Sequence, residues 1–123
     1  MTNYGTLKLI LHFCEQIFII HKEHQYHQEI FETDTEYQLS ISMCLIQIGE
    51  LSNNLTNDFQ KKYSEIPWNH LRCFRNRLAH QYGSIDTELS YYISTVDIKD
   101  IYQKICQLTD SFEKEYPEIL YTK

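Results

Sequence analysis

Residues 34–62, DTEYQLSISMCLIQIGELSNNLTNDFQKK, decide the fold. Leu39, Ile41, Leu45, Ile46, Ile48 and Leu51 place apolar side chains on nearly every side of a helix. The pattern carries that helix to about residue 62. A helix apolar all round belongs at the centre of a bundle. Thr33 or Asp34 supplies its N-cap, with acidic residues in the first turn.

The flanking sequence supplies the helices that cover it. Upstream, from about residue 6 past residue 20, Leu7, Ile10, Cys14 and Ile17 recur on one face, with Phe13, Phe18 and Ile20 beside them. A polar stretch, 21–29, follows. Downstream, Pro67 suits the first turn of a third helix that runs to about residue 81 and stops near Gly83. Asp86 and Thr87 offer caps for a fourth segment lined by Leu89, Tyr92, Ile93 and Val96. Ile98, Ile101, Ile105, Leu108 and Phe112 continue it after a break expected near Asp97, and it ends before Pro117. With Gly 3 and Pro 2 in 123 residues, turn-rich β architectures lack their turn residues. The expectation is one all-α domain, 1–123, built as a four- or five-helix up-down bundle with short connections.

Charge and cysteine usage narrow the function classes. Lys+Arg 11 against Asp+Glu 17 gives a net charge of −6, which argues against a protein that coats nucleic acid non-specifically. It leaves room for a small basic site on an acidic body. Cys14, Cys44, Cys73 and Cys106 are spread along the chain with no C-x-x-C, so they resemble neither a zinc set nor a redox pair. The first residues lack the basic start and cleavage site of a signal peptide, and no apolar run approaches the ~20 residues that span a bilayer. A reducing cytoplasm and free buried thiols are expected. Ten Tyr and six Phe are read as core and helix-edge packing rather than a ligand platform. His21, His24 and His27, in HKEHQYH, line one side at helical spacing, but with no fixed further ligand they read as a solvated stretch and not a metal site.

The third helix holds the chemistry: PWNHLRCFRNRLAHQY, residues 67–82. Trp68, Leu71, Phe74 and Leu78 form its buried face. Arg72, Asn76 and His80 form one polar stripe at i, i+4, i+8. With Arg75, Arg77 and His70 they give this helix a positive field on a negative protein. Arg75 lies at the margin of the apolar face, where a permanent charge needs a partner. That partner is either a carboxylate such as Glu50 or a phosphate held by the guanidinium fork. His80 is either a cation favoured by the helix C-terminus or a proton carrier that Asn76 orients. An imidazole that moves a proton near neutral pH and a fixed guanidinium are what RNA cleavage without metal requires, since RNA brings its own 2′-OH nucleophile. One histidine cannot comfortably serve both sides of an in-line displacement. A two-fold dimer brings two copies of Arg75, Asn76 and His80 to one cleft.

RNRLAHQY, residues 75–82, resembles the R-x4-H-x-Y signature of the HepT-like branch of the HEPN superfamily. FETD (31–34), IGELSNNL (48–55), IPW (66–68) and FRNRLAHQYGSID (74–86) follow that family's order over about residues 31–100. The resemblance implies an all-helical, dimerising domain. It implies a metal-independent ribonuclease without cofactor, the toxin of a toxin–antitoxin pair. It further implies a partner, a minimal (MNT-type) nucleotidyltransferase antitoxin, acting by complex formation or by adding AMP to the motif's tyrosine. By position, Arg75 would bind the phosphate, His80 would act as acid or base, Asn76 and Arg72 would support them, and Tyr82 would accept AMP. Without the family, Tyr82 reads equally well as a tyrosine packed at a helix end. The chain is not the nucleotidyltransferase itself: Gly83–Ser84 is not followed by paired aspartates at the right distance. It also has no Gly-rich phosphate loop. The rival reading is a non-catalytic helical dimer that binds nucleotide, RNA or a partner protein through the same cleft.

Overall fold

The computed structural model describes residues 2–80 and 86–121, side chains at 76–80 and 121 excepted. Among these residues the chain is helical with no strand: α1 Asn3–Glu23, α2 Gln28–Thr33, α3 Thr35–Asn53, α4 Asn57–Lys62, α5 Trp68–His80, α6 Thr87–Tyr92 and α7 Ile98–Glu115. A π-helical turn, Ile93–Asp97, joins α6 to α7, and a 3-10 turn, Pro117–Tyr121, follows. Four long helical stretches therefore make the bundle, with α2 and α4 as short connectors. The expected all-α bundle is what the chain forms.

Local chemistry sets the ends of these helices. Thr2 accepts from the Gly5 N–H, Asp34 from Tyr37, Thr56 from Phe59 and Asp86 from Leu89. The α3 helix packs on both α1 and α5. Leu7, Ile10, Ile17, Phe31, Tyr37, Ile41, Ile48, Leu71, Ile98, Ile101 and Ile105 fill the core between the layers. Trp68 and Leu71 bury the inner face of α5 and Phe74 is half-buried, as its periodicity predicts.

Several boundaries differ from the sequence reading. The second helix does not run to residue 62; it ends at Asn53 and restarts as α4. Asn and Thr side chains compete for backbone groups there, and the Gln60 amide donates to the Ser52 and Leu55 carbonyls at and just past the helix end, at 3.2 and 3.0 Å. Nor is α3 covered on all sides, because Leu39 and Met43 are 58% and 57% exposed. The break expected near Asp97 is a π turn instead: the Ile98 N–H reaches back to the Ile93 carbonyl, and Thr95 and Ser94 hydroxyls donate to the Tyr91 carbonyl at 2.6 and 3.2 Å. Finally, α1 runs on into the stretch expected to be solvated, as far as Glu23. It stops at two left-handed residues, Gln25 (φ 57°) and Tyr26 (φ 53°). The turn closes by the Tyr26 N–H donating to the His21 carbonyl at 2.9 Å, and Tyr91 Oη donates to the Tyr26 carbonyl at 2.7 Å.

Candidate functional site

The site begins where α3 crosses α5. Gly49 of α3 has no side chain, and a Cβ there would overlap the Arg75 Cβ and lie 2.8 Å from the Leu71 carbonyl oxygen. Only hydrogen fits at that crossing. The stem of Arg75 therefore rests on the α3 backbone. Its Nε and Nη2 both meet Glu50 Oε1, one residue along α3. The two side chains are 32% and 44% exposed, so one face of the ion pair stays in water. Of the two partners that the sequence offered for Arg75, the carboxylate is the one present within the chain.

Arg72, one turn earlier, is held differently. Its Nη1 donates to Gln60 Oε1 at 3.2 Å and its Nη2 to Asn69 Oδ1. Both partners are neutral amides. Gln60 is itself fixed by its two carbonyl contacts, so the guanidinium is positioned without being neutralised.

His80 is the last residue of α5. The side chains of Asn76 and His80, and the whole of Tyr82, lie outside the described residues. The backbone positions of Arg75 and His80, five residues apart on α5, differ by about 140° around the axis and about 7.5 Å along it.

The three histidines of HKEHQYH do not converge. The left-handed turn after α1 breaks their helical spacing. His21 is fully buried, with Nδ1 2.5 Å from Tyr37 Oη and Nε2 2.9 Å from Ser94 Oγ. Ser94 gives its own proton to the Tyr91 carbonyl, so it accepts from Nε2–H, which leaves Nδ1 to accept the Tyr37 hydroxyl. Tyr26 stacks on the ring at 5.2 Å, and Tyr91 meets it edge-on. Burial, with a smaller push from His24, lowers the His21 pKa to about 4. His24 instead stacks on Tyr37, and its Nδ1 lies 2.7 Å from the Ile20 carbonyl oxygen. Among the described residues no three His, Cys, Asp or Glu side chains are grouped to hold a metal.

The four thiols are free, but only Cys14 and Cys44 are buried; Cys106 is intermediate and Cys73, on the outer face of α5, is exposed. Burial pushes the Cys14 thiol up to about 12. No helix among the described residues is long and apolar enough to cross a membrane.

Sequence reasoning named Arg72, Arg75 and their helix but missed Gly49, Gln60 and the burial of His21. A signal existed for Gly49, one of three glycines and the only one inside an apolar helical run. Nothing local marks the other two.

The family model described as "Ribonuclease HepT-like" matches residues 10–108. The chain is 33% identical to "Probable ribonuclease HepT" of Thermococcus cleftensis, over 70% of this chain and 72% of that protein. It is 28% identical to "Putative RNase TTE0752" of Caldanaerobacter subterraneus subsp. tengcongensis, over 93% and 90%. No solved structure matches.

Proposed function

Because the chain belongs to the ribonuclease HepT-like family, we propose that it is a metal-independent endoribonuclease toxin, acting in the cytoplasm as one helical domain, 1–123. The observation that carries this reading is the seat of Arg75, pressed onto Gly49 with its guanidinium half in water on the helix that ends at His80. In this reading the RNA 2′-oxygen attacks the adjacent phosphorus. A His80 imidazole takes the 2′ proton, a second imidazole returns one to the departing 5′-oxygen, and a 2′,3′-cyclic phosphate and a 5′-hydroxyl end result. Arg75 stabilises the charge that builds on the phosphorane, Asn76 orients the imidazole, and Arg72 supports the strand.

Two imidazoles call for two subunits. The wide angle between the backbone positions of Arg75 and His80 fits the same arrangement, since a second α5 brings an Arg75 to the His80 of the first. Leu39, Met43, Ile46 and Glu50 share one face of α3, and its apolar end is uncovered within the chain. A second copy packed on that face would run its own α3 and α5 beside the Arg75–Glu50 pair.

Control comes from an MNT-type nucleotidyltransferase antitoxin. It masks the cleft, within a larger hetero-oligomer, or transfers AMP from ATP to the Tyr82 hydroxyl with release of pyrophosphate. An adenylated Tyr82, two residues from His80, would compete for Arg75 and block RNA entry. Co-expression with the antitoxin should add whole AMP masses at Tyr82; unmodified chain in a neutralised complex would assign control to masking alone.

The direct test is RNA cleavage in EDTA. Wild type cuts, and Arg75→Ala and His80→Ala stay folded and lose most of the activity. One observation favours the rival reading of a non-catalytic module: Arg75 already has a carboxylate partner in Glu50. That reading predicts RNA binding that survives His80→Ala and no cleavage by any form.

A further inference from the structure

We propose that the cleft between α4 and the start of α5 binds a phosphate of the RNA strand beside the scissile one, through Lys61 and Arg72. The cleft is open, holds about 510 Å³, and has Lys61, Arg72, Asn69 and Gln60 around a floor of Pro67 and Trp68. This inference rests on the ribonuclease reading only for the identity of the strand.

Charge is the first argument. The protein carries 17 acidic residues, yet among the described residues no carboxylate lines this cleft. Three other surface clefts are lined by more acidic than basic side chains: Glu65 and Glu115 with Lys104, Glu113 and Glu118 with Lys8, and Asp97 and Asp100 beside His70. An anionic ligand is therefore favoured here and repelled at the others. His70 shares its position with the Asp97–Asp100 cleft, so Lys61 and Arg72 carry the positive field.

Preorganisation is the second. Arg72 is fixed between Gln60 and Asn69, whose amides leave its charge uncompensated, whereas Arg75 faces Glu50. Among the described residues Lys61 has no ion-pair partner, and it is exposed. A guanidinium already held in place loses little freedom when a phosphate arrives. Arg72 is also three residues from Arg75, about 4.5 Å along the same helix. A strand laid along α5 reaches both. Pro67, half-buried between the buried Ile66 and Trp68, gives a nucleobase a small apolar contact, and Asn57 and Asn69 offer amides to its edge.

The test uses a fluorescent single-stranded RNA decamer with 2′-O-methyl groups, which cannot be cleaved, and reads anisotropy against salt. Lys61→Ala should weaken binding about fivefold and reduce the magnitude of the salt slope by about 0.7. Arg72→Ala should do the same or more. Lys99→Ala, at an exposed position of α7, should change neither. A ribo-dinucleotide, too short to span both sites, should be cleaved equally by wild type and Lys61→Ala. Unchanged affinity and slope in Lys61→Ala, an equal loss in Lys99→Ala, or no binding by wild type would each overturn the assignment. Loss of antitoxin binding with RNA affinity intact would give the cleft to an acidic protein surface instead, and also overturn it. The predicted binding pattern without cleavage of any RNA would keep the cleft and remove the ribonuclease reading. Cleavage of a long RNA with Lys61→Ala indistinguishable from wild type would do the reverse.

Discussion

Gly49 and Arg75 share one point in space: the α3 backbone at Gly49 is the surface on which the Arg75 stem lies, with no room for a methyl group between them. The position of the guanidinium thus depends on a residue whose side chain is a single hydrogen. Gly49→Ala should gain about 0.5–1 kcal/mol of helix propensity. It should lose more, about 1–3 kcal/mol, because the two helices must separate at Leu71 and Arg75 to admit the methyl group. Urea denaturation should show net destabilisation, and RNA cleavage should fall further than stability does. A Gly49→Ala variant as stable and as active as wild type would mean that the crossing is loose.

Glu50 holds Arg75 by a half-exposed ion pair, whose contribution to stability is at most about 1 kcal/mol. It also competes with a phosphate for the same guanidinium. Glu50→Gln keeps the shape and removes that competition. RNA affinity should rise about threefold at low salt while the denaturation midpoint barely moves. Reduced affinity would instead make Glu50 a positioning residue for Arg75.

The buried His21 makes stability depend on pH in a defined direction. Its imidazole is neutral in the fold down to about pH 4, whereas an unfolded chain binds that proton near 6.5. Between those values the unfolded state holds fewer neutral imidazoles and more protons, so stability falls as pH falls, by about 3 kcal/mol in total, and is fully present above 6.5. The groups facing His21 are Tyr37, Ser94, Tyr26, Tyr91 and His24, and none of them carries a carboxylate. Thermal melts of wild type should show this loss, and His21→Gln, which keeps hydrogen-bonding atoms without titrating there, should show a flatter profile. Equal pH dependence in the two would place the acid sensitivity elsewhere.

Leu39 and Met43 stand uncovered on the α3 face that leads to Glu50. Light scattering should find wild type as a dimer and Leu39→Glu/Met43→Glu as a folded monomer with little cleavage. A double variant that remains dimeric and active would move the interface to another face.

The fold was largely legible because it rests on local rules. Apolar periodicity located the long helices; Thr33 or Asp34, and Asp86 and Thr87, marked two starts, and of these the Asp34 and Asp86 carboxylates accept the backbone N–H groups. What stayed hidden depends on contacts distant in sequence. His21 looked solvated because its neighbours are polar, yet Tyr37 and Ser94 draw it into the core. The α3–α4 turn depends on Gln60 reaching back to Ser52. Of the candidate site, the helix and the Glu50 partner of Arg75 could be named beforehand; Gly49 left only the signal of a glycine in an apolar run, and the neutral clamp on Arg72 left none.

In the proposed reaction Arg75 and His80 act together on one RNA phosphodiester. Single-turnover cleavage of an RNA oligonucleotide in EDTA, with circular dichroism on each protein, tests it most directly. Arg75→Ala and His80→Ala should keep the helical spectrum and lose about 100-fold or more in rate. Cleavage by folded His80→Ala at the wild-type rate would contradict it.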